Sequence, residues 1–239
     1  MKKLVLAVSA FAAVLWSAAA AAGVSATVTA TTDYVFRGIT QSAEDPALQG
    51  SLDYEADSGF YVGAWASNVD FDDCCDESVE LDGYLGFYNE PGENWRYDAG
   101  LVYYAYPGTS EDLDYGEIYL GLGWQWFDVY YYYTNDFYAG GDAGFYWDLS
   151  GEFELPVWDL GLRLHYGYTG GPALNGDSSF EVGVESYSDY SVALTRDFGN
   201  FSFELAYWDT DLDGEFEVTR GAGANDDRIV FSVSTTFPW

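Results

Sequence analysis

The chain closes on Arg228-Ile229-Val230-Phe231-Ser232-Val233-Ser234-Thr235-Thr236-Phe237-Pro238-Trp239. Ile229, Phe231, Val233, Thr235, Phe237 and Trp239 share one parity, while Val230, Ser232, Ser234 and Thr236 share the other. Successive side chains of a strand point to opposite faces, so a two-residue period is the signature of a strand between two media. This period runs to an aromatic last residue, so one face of the closing strand is apolar along its whole length apart from Thr235.

The other end of the chain is consistent with export. Met1, Lys2 and Lys3 precede an apolar run from Leu4 to Trp16, then Ser17 and the alanines Ala18 to Ala22. Residues 1–22 read as a secretory signal peptide with a small-residue cleavage site, leaving 23–239 as one barrel domain. No later apolar stretch reaches the roughly 18 residues that a membrane helix requires, so strands must do any spanning. Without Lys2 and Lys3, six arginines face 40 acids, which moves the formal charge from −32 to −34. That balance excludes nucleic acid as a partner and points to cations. Aromatics at 20% with 27 glycines and six prolines suit strands and turns, and the chain is too apolar for disorder.

About twelve segments alternate between an uncharged parity and a polar one. Val24, Ala26, Val28, Ala30, Tyr34 and Phe36 alternate with Ser25, Thr27, Thr29, Thr31, Asp33 and Arg37 in the first. From Val79 to Phe87 the odd positions are apolar, and the even ones include Glu80, Asp82 and Tyr84. A soluble sandwich alternates too, but its apolar faces must meet in one compact core. Twelve long strands this rich in Trp, Tyr and Phe would overfill such a core. The inverted arrangement, apolar outward and polar inward, is the membrane solution.

Connection lengths give an independent check. Asp57–Gly59, Asn89–Asn94, Gln125 and Trp126, Pro156–Trp158 and Phe198–Asn200 are short. Between them lie Ile39–Asp45, Asp72–Ser78, Pro107–Asp114, Asn135–Gly141, Thr169–Ser179 and Thr210–Asp226, which are long. Strict alternation beginning with a long link predicts an even strand number, external long loops and both termini in the periplasm. Trp95, Trp124, Phe127, Phe153, Phe201 and Phe237 form a belt beside the short turns; Phe36, Tyr103, Tyr133, Trp147, Tyr168 and Tyr207 form one toward the long loops.

The stretch Thr32-Asp33-Tyr34-Val35-Phe36-Arg37-Gly38-Ile39-Thr40-Gln41-Ser42, with Pro46-Ala47-Leu48-Gln49-Gly50 and Gly59-Phe60-Tyr61-Val62-Gly63-Ala64-Trp65-Ala66-Ser67-Asn68-Val69, resembles the proteobacterial TorF family of porin-like proteins. The match covers the first third of the chain, and the later strands fit in length and layout. The resemblance implies an outer-membrane barrel with a channel role and names no solute.

On the polar parity, the expected lumen carries Asp53, Glu55, Glu80, Asp82, Asp98, Glu117, Asp128, Asp148, Glu152, Glu181 and Glu204, against Arg37, Arg96 and Arg163. An acidic wall favours cations. Arg37, expected near the outer end of the first strand, reads either as a constriction charge or as half of a lumenal ion pair. Tyr84, Tyr104, Tyr119, Tyr130, Tyr132 and Tyr146 read as rings that stack on a solute or that fill space. Twelve strands predict a pore between the filled interior of eight and the open channel of sixteen.

An enzyme is the minor reading. If the turn at Pro156–Trp158 centres its hairpin, His165 falls opposite Ser150, and Arg163 opposite Glu152, with Asp148 nearby. That permits a Ser-His-Asp hydrolase arrangement, and equally a polar network beside a Glu152–Arg163 ion pair. In the last long loop Asp209, Asp211, Asp213, Glu215 and Glu217 surround Gly214 with the oxygen spacing of a calcium loop, although Arg220 stands where a bidentate glutamate belongs. A solvated acidic loop meeting lipopolysaccharide phosphates through divalent ions is the other reading. No other cofactor motif is present. Cys74 and Cys75 are adjacent, in an oxidising compartment, and read as structural. The sequence thus predicts a transmembrane antiparallel up-and-down β-barrel of the Gram-negative outer membrane, in contact with lipid and lipopolysaccharide. It is expected to be a narrow cation-preferring passive channel or, alternatively, a plugged barrel with adhesive acidic loops.

Overall fold

The computed structural model describes residues 23–71, 78–108, 112–174, 184–212 and 225–239. Residues 1–22, expected as a signal peptide, and Cys74, Cys75, Glu181, Asp213, Glu215 and Glu217 lie outside the described residues. The strands are β1 (Gly23–Thr31), β2 (Val35–Phe36), β3 (Ile39–Thr40), β4 (Ala47–Glu55), β5 (Phe60–Asn68), β6 (Val79–Asn89) and β7 (Trp95–Ala105). They continue with β8 (Tyr115–Trp124), β9 (Phe127–Thr134), β10 (Gly144–Glu154), β11 (Gly161–Gly170), β12 (Ser186–Phe198), β13 (Phe201–Thr210) and β14 (Arg228–Pro238). Twelve of them close a barrel in the order β1-β14-β13-β12-β11-β10-β9-β8-β7-β6-β5-β4, every pair antiparallel; β2 and β3 form a separate two-stranded ribbon. Closure leaves no strand edge, which is what a sheet in hydrocarbon requires.

The closing segment behaves as its period demands. Thr27 pairs with Thr236 and Ala30 with Val233, and Trp239 exchanges backbone hydrogen bonds with Val24. Both ends of the barrel chain thus meet on the side of the short turns. β6 shows the inversion most regularly: its odd residues from Val79 to Phe87 are exposed, and Glu80, Asp82, Tyr84 and Tyr88 are buried. Leu48, Leu85, Leu101, Ile118, Leu120 and Val192 are exposed likewise, forming an apolar outer band that only lipid can cover. Trp95 packs on Trp124 beside the short turns and Tyr131 on Trp147 toward the long links.

The first segment departs from the expectation. β1 ends at Thr31, and the chain then leaves the wall and turns inward. Tyr34 and Phe36, expected on the lipid face, are buried inside the barrel. Phe36 therefore belongs to no outer belt, and Arg37 is not on a wall strand. Residues 32–46 fold into the lumen around the β2–β3 ribbon, in which Val35 pairs with Thr40 and Phe36 with Ile39. The short 3₁₀ turns Phe137–Ala139 and Pro172–Leu174 add Phe137, Tyr138, Ala173 and Leu174 to the interior at the same end.

Candidate functional site

The base of the inward hairpin is stapled by polar side chains. Asp33 accepts hydrogen bonds from the Thr40 hydroxyl at 2.5 Å and the Ser42 hydroxyl at 3.1 Å, and Ser42 accepts from the backbone N–H of Tyr34. Arg228 of β14 donates to the other Asp33 oxygen at 2.9 Å, and the Asp70 N–H donates to the carbonyl of Gln41. Thr40, Gln41 and Ser42 are fully enclosed although polar, because the hairpin and the wall satisfy them.

At the tip, Arg37 and Gly38 both have positive φ, at +50° and +82°, the two-residue turn that suits the twist of a β-ribbon. Asn-Gly is the usual choice there, and an arginine in the left-handed region costs about 1–2 kcal/mol. Its side chain explains why it is found there. The Arg37 Nη2 donates to both oxygens of Glu117 on β8, at 2.7 and 2.9 Å. The guanidinium carbon lies 4.4 Å from the Tyr146 ring, 4.6 Å from Phe36 and 5.5 Å from Tyr132. The Tyr187 hydroxyl on β12 donates to the Arg37 carbonyl. Gly38 touches the wall so closely that a Cβ would sit 2.5 Å from Thr210 and 2.6 Å from Asp189. In barrel order β9 stands six strands from β1 in either direction. The hairpin leaves β1 and seats its tip backbone against β12 and β13, and the Arg37 side chain carries the crossing on to β8, β9 and β10.

The interior therefore divides into two tiers. In the tier beside the long links, Tyr34 donates to Glu80 at 3.3 Å and packs edge-on against Trp65, and Phe36 meets Tyr104. Tyr104 stacks on Tyr115 at 4.5 Å and donates to Glu117. Asp82 is buried there, and among the described residues neither of its carboxylate oxygens has a hydrogen bond. His165 lies 2.8 Å from Asp189 and 3.4 Å from Asp148, with the Tyr146 hydroxyl 3.2 Å away.

The tier beside the short turns is wetter and keeps the remaining carboxylates. Asp53 accepts from the hydroxyls of Tyr84 and Ser51, and Asp98 from Tyr61 at 2.8 Å and Tyr130 at 3.3 Å. Tyr61 and Tyr119 are hydrogen-bonded to each other. Arg96 donates to Asp128 at 2.8 Å, and Glu55 stands half-exposed at the end of β4. Each tyrosine ring here lies over a glycine of the neighbouring strand: Tyr84 over Gly63, Tyr61 over Gly86, Tyr119 over Gly100 and Tyr130 over Gly121. A Cβ at Gly63 would be 2.5 Å from the Tyr84 ring. These rings lie flat along the wall. The signal was in the sequence, as inward glycines opposite inward tyrosines, and parity reading alone passes over it.

The register set Ser150 opposite His165 and Glu152 opposite Arg163, as the turn position predicted. The chemistry does not follow the pairing. Both imidazole nitrogens face carboxylates, and among the described residues Ser150 makes no hydrogen bond to His165, so no nitrogen is free to take a serine proton. Arg163 donates to Glu204 at 2.5 Å rather than to Glu152, one of whose oxygens has no hydrogen bond among the described residues. Asp209 accepts from the Tyr190 and Tyr207 hydroxyls, and Asp211 from the Ser188 N–H. Among the described residues no group of three or more His, Cys, Asp or Glu is placed to hold a metal.

Solved barrels share this architecture. The KdgM porin superposes with a TM-score of 0.56 at 8% identity, over 89% of this chain and 99% of the other. The NanC porin gives 0.55 at 12% identity, over 91% and 99%. At such identities the likeness is one of fold. No curated protein matches the sequence. The family model Gcw_chp, described as a bacterial protein of unknown function, matches residues 16–237, and the chain belongs to that family.

Proposed function

We propose that this protein is a narrow, cation-preferring passive channel of the porin type in the outer membrane of a Gram-negative bacterium, with its short turns and both termini in the periplasm. The observation that carries the reading is the inverted barrel itself: an apolar band outside, and inside it a wall on which carboxylates outnumber guanidiniums. In the tier beside the short turns Asp53, Glu55, Asp98, Asp128, Glu152 and Glu204 face Arg96 and Arg163, with tyrosine rings folded flat against the sheet. Acids around a lumen attract cations and repel anions when the bore is narrow compared with the screening length. The porin fold of the two solved barrels and the TorF-like stretch around Arg37 support the same reading.

Single-channel recording of refolded protein in a planar bilayer under a salt gradient tests it. Steady conductance with a reversal potential of cation-selective sign is the expected result. A folded barrel that never conducts overturns it.

The hairpin across the lumen favours a second reading, a plugged barrel whose acidic external loops serve adhesion, with divalent ions held between Asp209, Asp211 and lipopolysaccharide phosphates. Silence in the bilayer joined to calcium-dependent binding of lipopolysaccharide would select it.

A further inference from the structure

Arg37 is held by groups that would hold a free organic cation equally well. Leaving the hairpin aside, the wall supplies the Glu117 carboxylate, oriented by the Tyr104 hydroxyl at 2.8 Å, and the faces of Tyr132 and Tyr146. A carboxylate flanked by aromatic faces suits a planar, weakly hydrated cation that bonds at its edge and stacks on its face. It suits a metal ion poorly, since hard cations want six or more oxygens and no such group converges here among the described residues.

The tether does not saturate the site. Among the described residues Arg37 Nη1 has no hydrogen bond, although the side chain is 4% exposed. Among the described residues Asp82 is buried on the same tier with neither oxygen hydrogen-bonded, while Asp148 and Asp189 are both taken up by His165. Buried carboxylates without partners are costly, and a further donor would relieve that cost. The turn that delivers Arg37 is itself unfavourable for arginine, so its grip on the site is weakened by its own backbone.

We propose that Arg37 is a tethered occupant of a guanidinium site on the lumen wall, centred on Glu117 and walled by Tyr132 and Tyr146, and that a free alkylguanidinium takes this site when the hairpin tip withdraws. The proposal rests on the channel reading and deepens it: guanidinium solutes are the class that the barrel admits, and they displace the hairpin by competing with its arginine.

Propylguanidinium binding to the full chain, measured by titration calorimetry in detergent, tests it, with tetramethylammonium as the comparator of equal charge. A tethered competitor lowers apparent affinity by the fraction of time it leaves the site free. Arg37→Ala should therefore bind propylguanidinium at least about tenfold more tightly than wild type. The double variant Arg37→Ala, Glu117→Gln should lose the gain. No gain, an equal gain for tetramethylammonium, or a gain indifferent to Glu117→Gln overturns the proposal. In case Arg37→Ala fails to fold, wild-type protein provides a second measurement: propylguanidinium, far below denaturing levels, should speed amide exchange over residues 35–40, and unchanged exchange overturns the proposal equally. Binding is read without current, so a barrel that binds but never conducts counts against the channel alone. A barrel that conducts without the gain counts against the site alone.

Discussion

Asp33 and Arg228 are separated by nearly the whole barrel in sequence and meet at 2.9 Å, joining the base of the inward hairpin to the closing strand. Both side chains are almost fully enclosed. The contact makes the docking of the hairpin depend on barrel closure, because Arg228 is where β14 begins.

Removing one partner of a buried ion pair leaves the other charge uncompensated, which costs about 3–5 kcal/mol. Asp33→Ala also strips the acceptor from Thr40 and Ser42. The docked-to-free ratio of the hairpin should fall by about a hundredfold to a few thousandfold, at about 1.4 kcal/mol per tenfold, while the barrel strands stay formed. Limited proteolysis within residues 32–46, combined with unchanged strand content by circular dichroism, checks this. A hairpin as resistant as wild type would mean that the aromatic contacts alone hold it.

Gly38→Ala attacks the other end of the same element. A Cβ there meets Thr210 and Asp189 on two wall strands, and φ of +82° is unfavourable for alanine. The tip can no longer reach the wall, so the Arg37–Glu117 contact is lost without removing either residue. Single-channel current should rise relative to wild type, with longer open times. Lower current would show that the docked hairpin holds the conducting path open.

Charge selectivity is expected to depend on the wetter tier. Asp53→Asn and Asp98→Asn each remove a half-buried lumenal carboxylate, and their tyrosine partners can still donate to the amide oxygen. Each should move the reversal potential toward the value for no preference, with the double variant moving further. The effect should shrink between 0.1 M and 1 M salt, as the Debye length falls from about 10 Å to about 3 Å. Reversal potentials at both concentrations are the measurement, and a shift independent of salt would place the selecting charges elsewhere.

Most of the barrel could be read before any coordinates. Parity located the wall strands, the alternation of link lengths gave their even number, and the turn at Pro156 fixed the register of β10 on β11 down to the Ser150–His165 pair. These succeed because each depends on neighbours in sequence, and a two-residue period reports only which side of the sheet a residue faces. The hairpin was invisible to the same reading. Tyr34 and Phe36 carry on the parity of Val24 and Val28, and parity cannot sense that the chain has left the wall after Thr31. The ion pairs failed similarly. Arg163 reaches Glu204 two strands away instead of its cross-strand neighbour Glu152, because long side chains on an inward-curving wall converge across more than one strand. The polar run Thr40-Gln41-Ser42 suits an external loop equally well, and only its burial inside the barrel sets it apart.

The outward direction of the apolar parity can be tested at one residue. Leu120 lies midway along β8, is 54% exposed, and is flanked by Ala99 and Tyr131 on the neighbouring strands. In water its exposure would be an ordinary defect, and Leu120→Arg would be neutral or favourable. In a bilayer it faces hydrocarbon near the midplane, where an arginine costs about 2–4 kcal/mol. Reversible unfolding from lipid vesicles should show that loss for Leu120→Arg. The same substitution at Phe237, beside the short turns, should cost about 0–1 kcal/mol, because an interfacial guanidinium reaches the headgroups. Equal costs at the two positions would remove the lipid from the account, and with it the reason for the barrel to be inverted.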